Sequence, residues 1–367
     1  MKIGIFTDGI DKSILTGPAN YTHNLCKNLL KISNDEFCFI HHDRSSKHAL
    51  YKKGTEVVIP KYLLLSGGFL KDYGFDVVHF RRIRPFWGIL TFRRIVTTTD
   101  SVWAALRPRR VLDNLKTFWT KGTHWFSKGF LDLIIATSNS AKRSLVKYAR
   151  IPEHKIRVIY NGVDFDKFRP MNQEELELFK KKNRIDYPYI LHVSNYHPIK
   201  NPVILIKSFH ECKKRGIKHK LIVVGARWDK SQIMEIADEL GVAKDIKFFG
   251  FANQEELGGF YNGASLFFLP SLKESFSLVL LEAMACGCPV VSSNAYSIPE
   301  VTGHAALLSD NPRSHSEFSN HIVQLLSDKS LRTELSKKSL DRARRFDWEV
   351  TARKTLETYK QVLSDQT

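Results

Sequence analysis

The sequence is short of cysteine, of acidic residues and of long apolar runs, and each shortage excludes something. Its five cysteines, Cys26, Cys38, Cys212, Cys286 and Cys288, are odd in number and form no C-x-x-C pair. That pattern argues against a disulfide framework and a zinc site, and it fits a reducing cytoplasm. The fourteen histidines show neither H-x-x-x-H nor Cys/His ligand spacing, so no metal site is expected. No apolar run approaches the roughly 18 residues of a membrane span, which limits any membrane contact to the periphery. MKIGIFTDGI reaches Asp8 before an apolar core long enough for a signal peptide, and it reads as a first strand. A dehydrogenase-type G-x-G-x-x-G is absent from both LTGPANYTHNL (15–25) and VVGAR.

Acidic side chains number 38 against 56 basic ones, a net charge of +18. Such an excess implies a partner carrying negative charge: nucleotide phosphates, nucleic acid or anionic lipid. At 367 residues the chain is too long for one ordinary core, and it fits two domains of roughly 150 residues with a cleft between them. With 43% hydrophobic and 26% charged residues, a large core can be buried and long disorder is not expected.

Short β-branched runs alternate with amphipathic stretches, the pattern of a doubly wound parallel sheet. PYILHVS, KLIVVGA, DIKFFGF, SLFFLP and PVVSS read as strands of the second half, with helices expected near 202–215, 229–240, 253–263 and 276–286. KIGIFTD, DEFCFIHH, TEVVIP, FDVVHF, RRIVTTTD and LDLIIATS repeat the style in the first half. Near-continuous apolar strands suit a sheet covered on both faces. RVIYNGVDFDKFRP (157–170) carries turn chemistry in Asn161-Gly162 and a stop at Pro170, and reads as a hinge. The closing FDWEVTARKTLETYKQVL is amphipathic, and its periodicity does not say where it packs.

SLKESFSLVLLEAMACGCPVV (271–291) places Glu274 and Glu282 eight residues apart, one before an expected helix start near Phe276 and one within the helix. Ser271 to Ser275 then form a loop at the carboxyl end of a strand, where open α/β sheets bind ligands. A helix start offers unpaired N–H groups and partial positive charge to phosphate oxygens. Eight residues are a little over two turns, so a ligand with hydroxyls at both ends and a diphosphate between them would meet both carboxylates. The same spacing also fits a dipole-favoured glutamate followed by a solvent-facing one, and spacing alone does not choose.

SLKESFSLVLLEAMACGCPVVSS followed by IPEV resembles the E-x7-E signature of retaining glycosyltransferase family 4. ATSNSAKRSLVKY, IRVIYNGVDFDKFRP, ILHVSNYHPIKN, VVGAR and FFGFANQEELGGFYNGASLFFLPS appear upstream in family order. The resemblance covers residues 130–312 well and the preceding part loosely. It implies an α/β fold of the GT-B type, two Rossmann-like doubly wound parallel-sheet domains facing across a cleft. The expected division is an acceptor domain over 1–165, a nucleotide-sugar domain over 166–345 and a C-terminal helix over 346–367 packing back on the N-terminal domain. The implied reaction moves a sugar from a nucleotide-sugar donor to a hydroxyl, with retention of configuration, no metal and closure about residues 161–170.

By position, the resemblance gives Glu282 the nucleotide ribose and Glu274 the donor sugar's hydroxyls. The N–H groups of Ser275, Phe276, Ser277 and Leu278 would meet the diphosphate; relatives often have glycine at positions 275 and 277. Lys200 matches the lysine that neutralises the departing diphosphate, a role that lowers the barrier electrostatically. Many relatives have arginine where this chain has Asn195, which donates a hydrogen bond but no charge. Gly17 stands in the N-terminal glycine loop, where it is either a phosphate contact or a turn feeding a helix. Asp100 is the candidate to act on the acceptor hydroxyl, while His79 reads more simply as a strand-end core residue. Asp164-Phe165-Asp166 lies inside the family's interdomain segment and reads as turn chemistry, not as a metal-binding D-x-D.

Between Arg81 and Lys128 the chain has eleven Lys or Arg against two acidic residues, with Trp87, Trp103, Trp119 and Trp125 among them. The mixture suits an anionic membrane surface, a solvated face over core tryptophans, or single-stranded nucleic acid. Lipid docking is favoured and nucleic acid is the least favoured partner. The acceptor class that fits is a glycan or glycolipid, such as a lipid-linked or lipopolysaccharide precursor, met at the inner membrane face. Three competitors remain open: another GT-B enzyme, such as a sugar-nucleotide epimerase or a phosphorylase, though the cofactor-lysine signature of a phosphorylase is not found; a nucleic-acid-binding protein on Rossmann scaffolds; and a sugar-nucleotide sensor that binds but never transfers.

Overall fold

Strands buried on both faces need apolar side chains at every position, and the sequence supplies them in two separate sets. In the computed structural model, which describes residues 1–7, 10, 17–42, 48–59, 72–80, 94–99, 131–228 and 232–365, these sets build two parallel sheets. The first comprises β1 (Lys2–Phe6), β2 (Glu36–His41), β3 (Thr55–Val58), β4 (Val77–Phe80), β5 (Ile95–Thr99), β6 (Leu133–Ala136) and β7 (Ile156–Val158). Its order is β3-β2-β1-β4-β5-β6-β7. The second comprises β8 (Tyr189–Val193), β9 (Lys220–Val224), β10 (Ile246–Phe249), β11 (Leu266–Leu269), β12 (Val290–Ser293) and β13 (Ala306–Ser309), in the order β10-β9-β8-β11-β12-β13. Each sheet starts in its interior and winds outward both ways. The order therefore reverses once in each sheet, between β1 and β4 and between β8 and β11.

The chain divides into two compact units, Met1–Gly162 with Asp347–Thr367, and Val163–Phe346. In the first unit the terminal helix, Trp348–Ser364, lies beside the first helix, Gly17–Ile32, with Tyr21 and Trp348 edge to face at 5.8 Å. Gly162 permits this return: a Cβ there would stand 2.2 Å from the Trp348 nitrogen. His79, at the end of β4, fastens the terminal helix to the sheet. Its Nδ1 meets the Tyr359 hydroxyl at 2.6 Å and its Nε2 the Thr98 hydroxyl at 2.7 Å, while Tyr21 reaches Thr98 at 2.9 Å. Burial brings the His79 pKa down to about 3, so the imidazole stays neutral.

The second unit buries Ile190, Leu221, Val223, Leu266, Phe268 and Val291 under helices that include Pro202–Lys214 and His315–Ser327. Two strands, β7 and β13, and several helix bounds differ from the sequence expectation. The helix expected over 229–240 is seen at Ile233–Glu239, and the one expected from 276 begins at Leu278. The later start has a local cause: Ser277 has φ 72° and ψ 75°, a left-handed conformation that no α-helical residue adopts. Asp164 Oδ1 accepts from the Asp166 N–H at 3.2 Å, an Asx-type turn inside D-F-D. Among the described residues no helix is long and apolar enough to cross a membrane.

Candidate active site

The order of the second sheet reverses between β8 and β11, and in doubly wound sheets ligands bind outside the carboxyl ends of the strands at such a point. The loops leaving these two strands are sewn together. Leu272 N–H donates to the Ile199 carbonyl at 2.8 Å, and Asn201 Nδ2 donates to the Pro270 and Pro312 carbonyls at 3.1 and 2.5 Å. Asn201 takes φ 59° to do so, and asparagine tolerates the left-handed region better than most residues. The stitching sets Lys200, at the end of the turn Pro198–Lys200, against Glu274: Nζ lies 2.6 Å from Oε1, with the lysine side chain 21% and the carboxylate 10% exposed. From the other side, the exit of β12 steadies the same loop. Ser297 Oγ donates to the Glu274 carbonyl at 2.8 Å and Ser293 Oγ to the Ser271 carbonyl at 2.5 Å.

Glu274 is followed by the start of the Leu278–Ala285 helix, whose first N–H groups have no partner within the helix. Ser277 precedes it in a left-handed conformation that glycine would adopt without strain. Its hydroxyl is buried without a partner, as is that of Ser271. Buried polar atoms are nearly always paired, so two orphans in one short loop mark a place built to receive hydrogen bonds. Phe276 anchors the loop inward, its ring edge-on to Phe346 at 5.8 Å.

Glu282 sits one turn into the helix, 6% exposed, and accepts from the Tyr261 hydroxyl at 3.1 Å. Burial pushes its carboxyl up to about 7, against the opposing pull of that hydrogen bond. Thus Lys200 and Glu274 are brought into contact, whereas Glu282 faces Tyr261 on the Gln254–Gly263 helix. Asn195, expected as a donor, acts as an acceptor in its described hydrogen bond. Its Oδ1 accepts from the Ala226 N–H at 2.9 Å and holds the β9 exit loop.

Gly17 belongs to the first unit, where it opens the first helix and is exposed; a Cβ there would meet nothing within 4 Å, so local packing does not require glycine. Asp100, Arg81 and the four tryptophans of the basic segment lie outside the described residues. Backbone strain is what sequence reading missed. Six described non-glycine residues have positive φ. Arg150 and Arg184 are helix C-caps, but Asn201, Arg227, Ser277 and Tyr296 occupy the loops leaving β8, β9, β11 and β12. Strain of this kind concentrates where a ligand site is built. Serine at 277, where relatives often have glycine, was the available signal for one of the four.

Two family models cover most of the chain. One described as "Glycosyl transferases group 1" matches residues 173–342, and one described as "Glycosyltransferase Family 4" matches residues 16–167. The chain belongs to the family 4-type glycosyltransferases. Among curated members of this kind, the O-antigen chain mannosyltransferase B of Escherichia coli is 30% identical over 62% of this chain and 60% of its own. The match spans 60% or less of the length of these curated relatives, and under a third of some. Solved structures of similar fold superpose over nearly its whole length. Sucrose-phosphate synthase from Thermosynechococcus elongatus gives a TM-score of 0.79 at 19% identity, covering 99% of both chains. HepE of Anabaena, solved in complex with UDP-glucose, gives 0.76 at 19% identity over 98% of this chain and 100% of its own. The fold of this family 4-type chain is accordingly GT-B.

Proposed function

We propose that the chain moves a hexose-type sugar from a nucleotide-sugar donor to a hydroxyl of a glycan or glycolipid, with retention of configuration and without a metal. The observation that carries this reading is the meeting of Lys200 and Glu274 at the reversal of the second sheet, beside a helix start with orphaned serine hydroxyls. Such a site answers a diphosphate flanked by hydroxyls. The diphosphate draws the ammonium and the N–H groups of Ser275 to Leu278, and Glu274 turns to the sugar's hydroxyls. Glu282, with one internal donor, receives the ribose diol and is better ionised once the diol donates to it.

In the transfer step the acceptor oxygen bonds to the anomeric carbon on the face from which the carbon–oxygen bond to the diphosphate breaks. Both electrons of that bond leave with the diphosphate, and the acceptor proton passes to the departing oxygen. Lys200 stabilises the charge that accumulates there. Asp100 on the acceptor hydroxyl and Gly17 on the donor are parts of the same proposal. The named O-antigen relative supports a lipid-linked or lipopolysaccharide-type acceptor, and the charge of +18 supports an anionic membrane surface beside it, at the cytoplasmic face.

A thermal-shift panel of UDP, GDP, ADP, UDP-glucose and GDP-mannose, with and without a chelator, tests the donor. At least one compound should raise the melting temperature equally in both conditions. Loss of the shift on chelation would remove the metal-free part of the reading. Glu274→Ala should keep a melting temperature near wild type and lower kcat by about 10²–10³. Retained transfer, or a shift with none of the five compounds, would sink the reading.

A further inference from the structure

Arg227 is held in a conformation that arginine avoids, and its charge is not used inside the described chain. Its φ of 71° lies in the left-handed region, where a Cβ crowds the backbone. Both neighbours are clamped so that it has no alternative. Ala226 donates its N–H to Asn195 Oδ1 at 2.9 Å and accepts from the Tyr196 N–H at 2.9 Å. On the other side, the Trp228 indole donates to the Ser194 carbonyl at 2.6 Å, with its ring 1% exposed and edge-on to His192 and Tyr196. Gly225, at φ 140°, lets the two loops close up, since a Cβ there would stand 2.0 Å from the Ser194 oxygen. The described residues that flank Arg227 are fixed, yet Arg227 itself is exposed, and no described hydrogen bond or ion pair reaches its guanidinium.

These clamps tie the β9 exit loop to the β8 exit loop, which also carries Lys200, and β8 is the strand shared by β9 and β11. A nucleoside diphosphate brings more than one negative charge to that edge. Lys200 meets it already shared with Glu274, and Asn195 contributes none. We infer that Arg227 is a second cation of the diphosphate site, its strained backbone fixed by the β8 loop so that the guanidinium fork takes phosphate oxygens. The planar fork suits phosphate better than a second ammonium would, and a strained residue over-determined by its surroundings is the arrangement expected of a binding group.

This inference rests on the donor site proposed above, and the experiment separates the two. The full chain, Arg227→Gly and Arg227→Lys are titrated calorimetrically with UDP, GDP, ADP and inorganic pyrophosphate at low and high salt. Glycine is at home at this φ, so Arg227→Gly should melt at or above the wild-type temperature. Its Kd for the nucleoside diphosphate that wild type binds should weaken about tenfold or more, with a shallower salt dependence. Arg227→Lys should retain part of the affinity. An unchanged Kd in Arg227→Gly overturns the inference while leaving the donor site standing. A weaker Kd with lowered melting temperature and unaltered salt dependence also overturns it, because the residue would then only brace the loop. If wild type binds none of the four, the donor reading fails and takes the inference with it.

Discussion

His79 in the first unit and Glu282 in the second are both buried titratable side chains, and the chain answers them in different ways. Both nitrogens of His79 are engaged, by Tyr359 and Thr98, and burial alone brings its pKa down to about 3. Glu282 has the Tyr261 hydroxyl, while burial carries its carboxyl up to about 7. The surroundings differ in the same sense. The histidine's two partners are hydroxyls of packed elements, whereas the helix of Glu282 starts from a loop with two unpartnered serine hydroxyls and a left-handed Ser277. A buried polar group whose every valence is met inside the fold fastens that fold. One left partly unmet in a strained loop is arranged for something that arrives later.

The largest expected effect tests the fastening. His79→Ala leaves the Thr98 and Tyr359 hydroxyls facing a cavity and should cost about 2–4 kcal/mol in urea unfolding, without changing nucleoside diphosphate affinity. A loss below about 1 kcal/mol would mean that the network fastens little. The pH dependence sharpens the comparison, because the two groups act with opposite sign. Glu282 is protonated in the folded chain up to about pH 7, whereas the unfolded carboxyl ionises near 4.5. Its contribution to stability is therefore complete below pH 4.5 and is lost as pH rises through 7. His79 contributes stability that is present above pH 6.5 and is lost as pH falls towards 3. Relative to wild type, Glu282→Gln should remove a decline of roughly 2–3 kcal/mol between the two glutamate pKa values, measured by urea unfolding across that range. No difference in the pH profiles would mean that the carboxyl is not held neutral. The smallest effect belongs to the loop: Ser277→Gly removes an orphaned hydroxyl and a left-handed side chain and should stabilise by about 1 kcal/mol. Destabilisation would show that the hydroxyl already has a partner.

The interior strands were legible because burial on both faces leaves no polar position to blur the run: YILHV, KLIVV, LFFL and VVSS are seen where the sequence placed them. The two strands that escaped, β7 and β13, are the ends of their sheets. Ile156–Val158 is three residues long with two of them half-buried, and Ala306–Ser309 is half-buried at three of four positions. Their apolar runs are accordingly short and mixed. Spacing could not tell whether Glu274 and Glu282 act together, because pairing depends on the loop. The contact that formed, Lys200 with Glu274, joins residues 74 apart through hydrogen bonds of Asn201 and Leu272 that periodicity does not register. Nor does composition reveal which residue will be forced to a positive φ. Arg227 and Tyr296 read as ordinary surface residues until the loops around them are built.

The division of the chain has a consequence for the order of its manufacture. Residues 163–346 are inserted between the two stretches that make the first unit. On the ribosome, Tyr359 is added only after every residue of the second unit has been polymerised. The inserted unit thus has all its parts in hand early, while its older neighbour must wait, with the His79 imidazole lacking the phenol that completes it, until translation has passed the insertion.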